Sequence, residues 1–89
     1  MKTGLELITE ERVKQISKYG YTGYYDSAYN DKELLRAALA YLNEAINSDG
    51  EKDWPFDKQY WKSEDYVSNL KKVGAFVAAE LDRYQIINK

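Results

Sequence analysis

Acidic side chains are the residues of this chain that could hold a catalytic metal ion, so their spacing is the first test of function. All-α nucleotide pyrophosphatases bind magnesium with carboxylates one helical turn apart, because positions i and i+3 share one face of a helix. Among the 15 acidic residues no two are three positions apart. The pairs four positions apart are Glu6/Glu10, Asp49/Asp53 and Asp53/Asp57. A magnesium-dependent pyrophosphatase is therefore the last of three hypotheses for this chain.

Nucleophilic catalysis lacks its usual residues as well. The chain has no histidine to act as a general base and no cysteine to act as a thiol nucleophile. Its serines form no recognisable nucleophile elbow, and the segment Gly20-Tyr21-Thr22-Gly23 is too short for a glycine-rich phosphate loop. The common transition-metal sites also lose their preferred ligands. We expect no enzyme, no metal and no cofactor.

Aromatic residues are the unusual feature of the composition, at 15% of the chain with nine tyrosines. Such side chains combine a large apolar face with a polar tip, which suits ligand pockets and interfaces. They cluster around two predicted loops, each leading into a helix N-terminus where free backbone amides favour an anion. The first cluster is Tyr19, Tyr21, Tyr24, Tyr25 and Tyr29, and the second is Trp54, Phe56, Tyr60, Trp61 and Tyr66.

Cationic side chains near these loops complete the pattern of a nucleotide site. A base can stack on an aromatic ring while arginine, lysine and helix amides bind the phosphates. The predicted ligand-binding residues are Arg12, Tyr21, Tyr24, Tyr25, Arg36, Trp61, Lys62 and Lys72. For Trp54 and Phe56 there is a structural alternative, in which both merely fasten the second loop onto the helices.

Three helices are predicted to position the loops, so the fold class is all-α: a small three-helix bundle with two aromatic-rich loops. The first helix is predicted over residues 4–19 and the second over residues 32–47, and the third follows residue 62. The residues that cap their N-termini are Thr3 with Glu6, Asn30 with Glu33, and Ser63.

Apolar periodicity predicts how the helices pack. The second helix carries one stripe of Leu35, Leu39, Leu42 and Ile46 and another of Leu34, Ala38, Tyr41 and Ala45. Stripes on two sides predict a central helix between two partners. In the third helix, heptad-like spacing relates Val67, Leu70, Gly74, Val77, Leu81 and Tyr84. Within that seam Gly74 lets another helix approach closely, at a cost of about 1 kcal/mol against alanine.

Length and charge limit the partners. Eighty-nine residues make a single helical domain, 1–89, with a small core and a thin stability margin. Without disulfides or metal sites, oligomerisation is the reinforcement left, so we expect a homo-oligomer. The net charge of −2 argues against a nucleic-acid partner. No apolar run reaches the ~20 residues that span a bilayer, so we expect a cytosolic protein without a membrane partner.

The two aromatic loops are expected at opposite ends of the bundle. A helix of about 16 residues separates them by roughly 24 Å, so one chain cannot bring both to one ligand. An antiparallel dimer can, because it sets the first loop of one chain beside the second loop of the other. The predicted pocket joins Tyr24 or Tyr25 of one chain to Trp61 and Lys72 of another.

The order and spacing of several motifs resemble a family of small phage and prophage proteins. The motifs of the first half are Glu11-Arg12-Val13-Lys14-Gln15-Ile16, Gly20-Tyr21-Thr22, Asp26, Glu33-Leu34, Ala37-Ala38 and Tyr41. Those of the second half are Trp54-Pro55-Phe56, Trp61-Lys62, Leu70-Lys71-Lys72-Val73-Gly74-Ala75 and Ala79-Glu80-Leu81-Asp82-Arg83. The family usually has an Asp-rich or His-Asp-rich stretch near Asp26, and often a tryptophan in place of Phe56. This resemblance implies a phage-encoded accessory protein in the host bacterial cytosol.

Accessory phage proteins of this size commonly counter bacterial defence, which leads to two hypotheses of function. The leading one is a non-catalytic sponge that sequesters a nucleotide immune signal, either a cyclic dinucleotide or an ADP-ribose derivative. The second is a protein that binds and inhibits a host defence enzyme through its aromatic, acidic surface.

One polar pair is expected inside the bundle. Arg12 falls on the same face of the first helix as Ile8 and Ile16, so it requires a carboxylate partner. The family motif sets Glu80 among apolar residues of the last helix and implies that Glu80 is the first choice of partner, with Asp26 the second.

Overall fold

The computed structural model describes residues 1–19 and 32–88. Within these residues it contains three α-helices and no β-strand. Helix α1 spans Gly4–Tyr19, α2 spans Glu33–Asn47 and α3 spans Tyr66–Ile87, with two 3₁₀ turns at Gly50–Asp53 and Lys58–Tyr60. No helix in the described ranges has the length and apolar character needed to cross a membrane. The all-α prediction is confirmed for the described chain.

Helix α1 begins with the predicted capping box. The backbone N–H of Glu6 donates to Thr3 Oγ1 at 3.2 Å, and the N–H of Thr3 donates to Glu6 Oε1 at 3.0 Å. These two hydrogen bonds satisfy amides that have no partner within the helix. The bounds of α1 therefore agree with the prediction from sequence.

Helix α2 starts later than the predicted capping box requires. Its N-cap is Lys32, in a left-handed conformation with φ 68°, and Lys32 makes no side-chain capping hydrogen bond. A cap at Asn30 would make Glu33 the third residue of the helix, but Glu33 is the first. Asn30 itself lies outside the described residues. At the other end, Ser48 adopts φ 58° and its N–H donates to Glu44 O at 3.0 Å.

Helix α3 is capped by Asp65 instead of Ser63. Asp65 Oδ1 accepts from the N–H of Ser68 at 2.8 Å, so the helix begins at Tyr66. Ser63 has another role, because its hydroxyl donates to Glu44 Oε2 of α2 at 3.0 Å. The predicted cap was wrong by two residues because Ser63 contacts a neighbouring helix.

The central helix is α3, and not α2 as predicted. Both α1 and α2 pack on α3, and the main core cluster lies between α2 and α3. The buried residues of this cluster are Leu34, Ala37, Ala38, Tyr41, Phe76 and Ala79. The other predicted stripe of α2, from Leu35 to Ile46, is exposed. Its apolar pattern identifies a surface that no described helix covers.

The buried face of α3 also differs from the predicted seam. Val67, Leu70, Val77, Leu81 and Tyr84 are all exposed. The buried residues of α3 are Asn69, Lys72, Ala75, Phe76, Ala79 and Arg83. Several of these are polar, so a search for apolar periodicity alone selects the wrong face.

The predicted close approach at Gly74 is confirmed, and the approaching residue is Ile8 of α1. A Cβ atom built on Gly74 would lie 2.5 Å from Ile8 Cδ1 and 2.6 Å from Ile8 Cγ1. Real Cβ contacts are longer than this, so Gly74 allows α1 to pack on α3 within the same chain.

We expect Gly74→Ala to lower the free energy of unfolding by about 1–2 kcal/mol. Overpacking against Ile8 outweighs the higher helix propensity of alanine. Urea denaturation followed by circular dichroism measures the change. Gly4→Ala is the matched control, because a Cβ at Gly4 would meet nothing within 4 Å. In an Ile8→Ala background the Gly74→Ala penalty should disappear; an equal penalty in both backgrounds would contradict this account.

Candidate functional site

The second aromatic loop packs onto the bundle through Tyr41. The ring of Tyr41 stacks on Trp61 with centroids 4.6 Å apart and on Phe76 of α3 at 6.1 Å. Trp54 meets Tyr41 edge-on at 5.5 Å, and Phe56 meets Trp54 at 5.3 Å. These five residues form a continuous aromatic wall. Trp54 and Phe56 therefore do fasten the loop to the helices, as the structural alternative expected.

Hydrogen bonds fix the backbone of this loop. The N–H of Lys62 donates to Tyr41 Oη at 3.0 Å, which links the end of the loop to α2. Trp54 Nε1 donates to the carbonyl of Asp57 at 3.0 Å, and Asp57 Oδ1 accepts from the N–H of Gln59 at 3.1 Å. The loop thus holds its tryptophans in defined positions.

Glu44 of α2 joins both ends of the same loop. Its Oε1 accepts from the N–H of Gly50 at 3.0 Å and its Oε2 accepts from the hydroxyl of Ser63 at 3.0 Å. Gly50 must be glycine, because a Cβ there would lie 1.9 Å from the carbonyl oxygen of Ala40. The Glu44 carboxylate and the close contact between Gly50 and Ala40 therefore hold the loop against α2.

A cleft of about 1170 Å³ lies beside the aromatic wall. Side chains from all three helices and from the second loop line it. Its aromatic lining consists of Tyr41, Trp54, Phe56, Tyr60, Trp61 and Phe76. Its charged lining consists of Glu11, Lys14, Asp57, Lys62, Glu64 and Lys72. Three predicted ligand-binding residues, Trp61, Lys62 and Lys72, are therefore brought together in one cleft of one chain.

Lys72 is buried, and its charge is balanced within the cleft. Its Nζ forms an ion pair with Glu64 and lies 5.6 Å from the centroid of the Tyr41 ring. The hydrogen bond from Lys72, together with its charge, lowers the pKa of the Glu64 carboxyl. A ligand phosphate would have to displace Glu64 to reach Lys72, whereas Lys62 is exposed.

Arg12 is buried, and its carboxylate partner is Asp82. Arg12 Nη2 lies 2.8 Å from Asp82 Oδ2, and Arg12 Nη1 donates to Gln15 Oε1 at 3.1 Å. The prediction of Glu80 as the first partner was wrong. Residues 80 and 82 project in different directions from a helix, and Glu80 is engaged by Arg83 one turn later.

The other predicted site residues are distributed differently. Arg36 is exposed on α2 and does not line the cleft, and neither does Arg12. Tyr21, Tyr24, Tyr25 and Asp26 lie outside the described residues. A pocket shared between chains, and a contact between Asp26 and Arg12, stay predictions.

Sequence reasoning missed the contribution of α1 to the cleft. Glu11, Lys14 and Gln15 line it from positions i, i+3 and i+4 of one helical face. Glu11 and Gln15 are buried, whereas Ile16, on the predicted face with Arg12, is exposed. Because the cleft-lining residues of α1 are polar, apolar periodicity does not identify them.

The described residues form a small all-α fold with an aromatic-lined cleft. Within residues 1–19 and 32–88, no group of three or more acidic side chains could hold a metal ion. The chain matches no protein-family model, no curated protein and no solved structure.

Glu80 and Arg83 form a buried bidentate pair on α3. Arg83 Nε donates to Glu80 Oε1 at 2.7 Å, and Arg83 Nη2 donates to Glu80 Oε2 at 2.9 Å. Their side chains are 13% and 5% exposed, respectively. The hydrogen bonds from Arg83 lower the pKa of the Glu80 carboxyl below its ordinary value of 4.5.

This pair should make stability depend on pH in the acid range. Because the pKa of Glu80 is lower in the folded state, its contribution is complete above about pH 4.5 and is lost as pH falls through the folded pKa. Urea denaturation between pH 6 and pH 3 should show a smaller acid-induced loss of stability in Glu80→Gln than in the unsubstituted protein. Equal losses would contradict the assigned role of Glu80.

Proposed function

We propose that this protein is a non-catalytic binding protein whose cleft takes a nucleotide-type small molecule. The observation that supports this most directly is the meeting of Trp61, Lys62 and Lys72 in one aromatic-lined cleft. Aromatic rings offer stacking faces for a base, and a stacked base contributes about 1–3 kcal/mol without requiring a specific sequence. Lys62, which is exposed beside them, supplies positive charge for a phosphate.

The size of the cleft supports a ligand larger than a mononucleotide. Typical ligand pockets measure about 300–1000 Å³, and this cleft measures about 1170 Å³. A dinucleotide, or a nucleotide that carries a second sugar, has the dimensions to use such a space. Cyclic dinucleotides and ADP-ribose derivatives both fall in this class.

The electrostatics of the cleft favour its exposed lysines as the contacts for the proposed phosphates. Arg12 and Lys72 are each bound to a carboxylate of the same chain. Lys62 is exposed, and the Lys14 side chain is 43% exposed. Both line the cleft, and neither donates a hydrogen bond to a carboxylate of the described residues that a phosphate would have to displace.

The biological role that we propose is sequestration of a nucleotide immune signal during phage infection. Its support is the resemblance of the motifs to a phage and prophage family, together with a cleft suited to binding. A sponge needs affinity and a pocket but no catalytic group.

Lys62→Ala should weaken ligand binding while leaving the fold intact. A panel of cyclic dinucleotides and cyclic ADP-ribose isomers, tested by thermal shift and then by calorimetry, identifies the ligand. We expect Lys62→Ala to reduce affinity by roughly 10-fold to 150-fold, as for the loss of a charged hydrogen bond. Lys58→Ala is the matched control, because Lys58 is an exposed lysine of the same loop that does not line the cleft. Trp61→Ala is less informative, since Trp61 also stacks on Tyr41.

If no nucleotide of the panel raises the melting temperature, the proposed function is wrong. Saturation at 100 times the dissociation constant adds about 2.7 kcal/mol to stability, which a small domain would show plainly. Equal weakening by Lys62→Ala and Lys58→Ala would assign binding to a different surface.

We also propose that the chain forms a homo-oligomer through the exposed stripe of α2. Leu35, Leu39, Leu42 and Ile46 are exposed at spacings typical of a helix–helix seam. A two-fold axis would let the same stripe of two chains pair with itself. Such pairing would add apolar burial that an 89-residue chain lacks on its own.

Light scattering at micromolar concentration should give at least a dimer mass. Leu39→Lys, at the centre of the stripe, should reduce the mass to that of a monomer, because it sets a charge in an apolar interface. Val13→Lys is the control, since Val13 is similarly exposed but lies on α1. A monomeric unsubstituted protein would contradict self-association. It would favour the second candidate function, in which the stripe binds a host defence enzyme.

A further inference from the structure

Glu11 is a buried carboxylate whose hydrogen-bonding capacity is unused in the described part of the chain. Its side chain is 7% exposed, and it lines the cleft. Among residues 1–19 and 32–88 its ion-pair partner is Lys14, with Nζ 3.9 Å from Oε1. That distance is too long for a hydrogen bond. Glu11 therefore brings two acceptor oxygens to the cleft with no donor bound to them there.

A carboxylate on a side chain this buried depends on hydrogen-bond donors at its oxygens. Withdrawing an ionised group from water is unfavourable unless hydrogen bonds replace the lost hydration. The buried cations Arg12 and Arg83 both donate to carboxylates at normal distances. Glu11 differs because it lines the cleft, where a bound molecule can supply hydrogen-bond donors.

We propose that Glu11 recognises the base of the ligand, and that this base is guanine. This inference rests on the proposed nucleotide-binding function of the cleft. An ionised carboxylate accepts hydrogen bonds and donates none. Guanine presents two adjacent N–H donors, from N1 and from the exocyclic N2 amino group, at the spacing of two carboxylate oxygens. Adenine presents one donor beside an acceptor, N1, which would face a carboxylate oxygen and repel it.

The charge of Lys14 makes an uncharged hydrogen-bond donor a more favourable partner for Glu11 than a cation. Its Nζ lies within 4 Å of Glu11 Oε1, so an ammonium or guanidinium group bound to Glu11 would stand beside another positive charge. The edge of a base carries no net charge and avoids that repulsion. The same lysine side chain, 43% exposed, remains available to a phosphate of the ligand.

The aromatic lining supplies the second requirement of base recognition. Tyr60 and Trp61 line the same cleft as Glu11, and Tyr60 is exposed. A base held by its edge at Glu11 needs a ring against its face, and Tyr60 and Trp61 of the second loop are available for this. Edge and face recognition together distinguish one base from another, whereas stacking alone does not.

The test compares three ligands with the same backbone and different bases: cyclic di-GMP, cyclic di-IMP and cyclic di-AMP. Hypoxanthine keeps the N1 donor of guanine and lacks the N2 amino group. By calorimetry on the full chain, we expect cyclic di-GMP to bind roughly 10-fold to 100-fold more tightly than cyclic di-AMP, with cyclic di-IMP between them. Glu11→Gln should remove most of this preference, because an amide offers one acceptor and one donor. Glu10→Gln, at an exposed neighbouring carboxylate, should retain it.

The outcomes separate this inference from the proposed function. Equal affinity for all three ligands, or an undiminished guanine preference in Glu11→Gln, would overturn the role of Glu11 while nucleotide binding stands. Absence of binding to every nucleotide, including the ADP-ribose derivatives, would overturn both. The base preference of the unsubstituted protein tests the inference even if Glu11→Gln does not fold, and circular dichroism establishes whether it does.

Discussion

The packing of Tyr41 is the interaction on which the rest of the structure depends. This one buried side chain contacts Phe76 of the central helix, stacks on Trp61 of the loop, and accepts a hydrogen bond from the backbone of Lys62. Its ring also lies below the ammonium group of Lys72. Tyr41 therefore joins the core of the bundle to the wall of the cleft. A change at Tyr41 would alter the fold and the candidate site together, because the same ring belongs to both.

Buried charge is the second constraint, and it shapes what the cleft can bind. Arg12, Lys72 and Arg83 are all buried, and each forms an ion pair with a carboxylate of the chain. Pairing is required because an unpaired charge inside a small fold would cost several kcal/mol. The cations that looked most suitable for phosphates are consequently used within the protein. In the proposed site, the exposed lysines that line the cleft and the Glu11 carboxylate are the groups assigned to the ligand.

The positions of the helices could be predicted from sequence because their signals are local. The capping box at Thr3 and Glu6 fixes the start of α1 through contacts three residues apart. The polar segment around Ser48 ends α2, and the close-approach glycine Gly74 was recognisable within α3. The aromatic residues of the second loop were also identified as a cluster. Each of these features depends on neighbours along the chain, so periodicity and residue type suffice to find them.

The sequence by itself therefore determined the all-α class, the approximate positions of the helices, and the aromatic and charged residues that could form a site. The tertiary structure decided which helix faces are buried. Apolar stripes on α2 and α3 predicted the wrong central helix, because the exposed stripe from Leu35 to Ile46 looks the same in sequence as a buried one. Ion pairing allows the polar face of α3, with Lys72 and Arg83, to lie inside. Which carboxylate meets Arg12, and whether Glu11 enters the cleft, depend on contacts between residues distant in the chain. Such contacts follow from how helices pack and leave no regular spacing in the sequence.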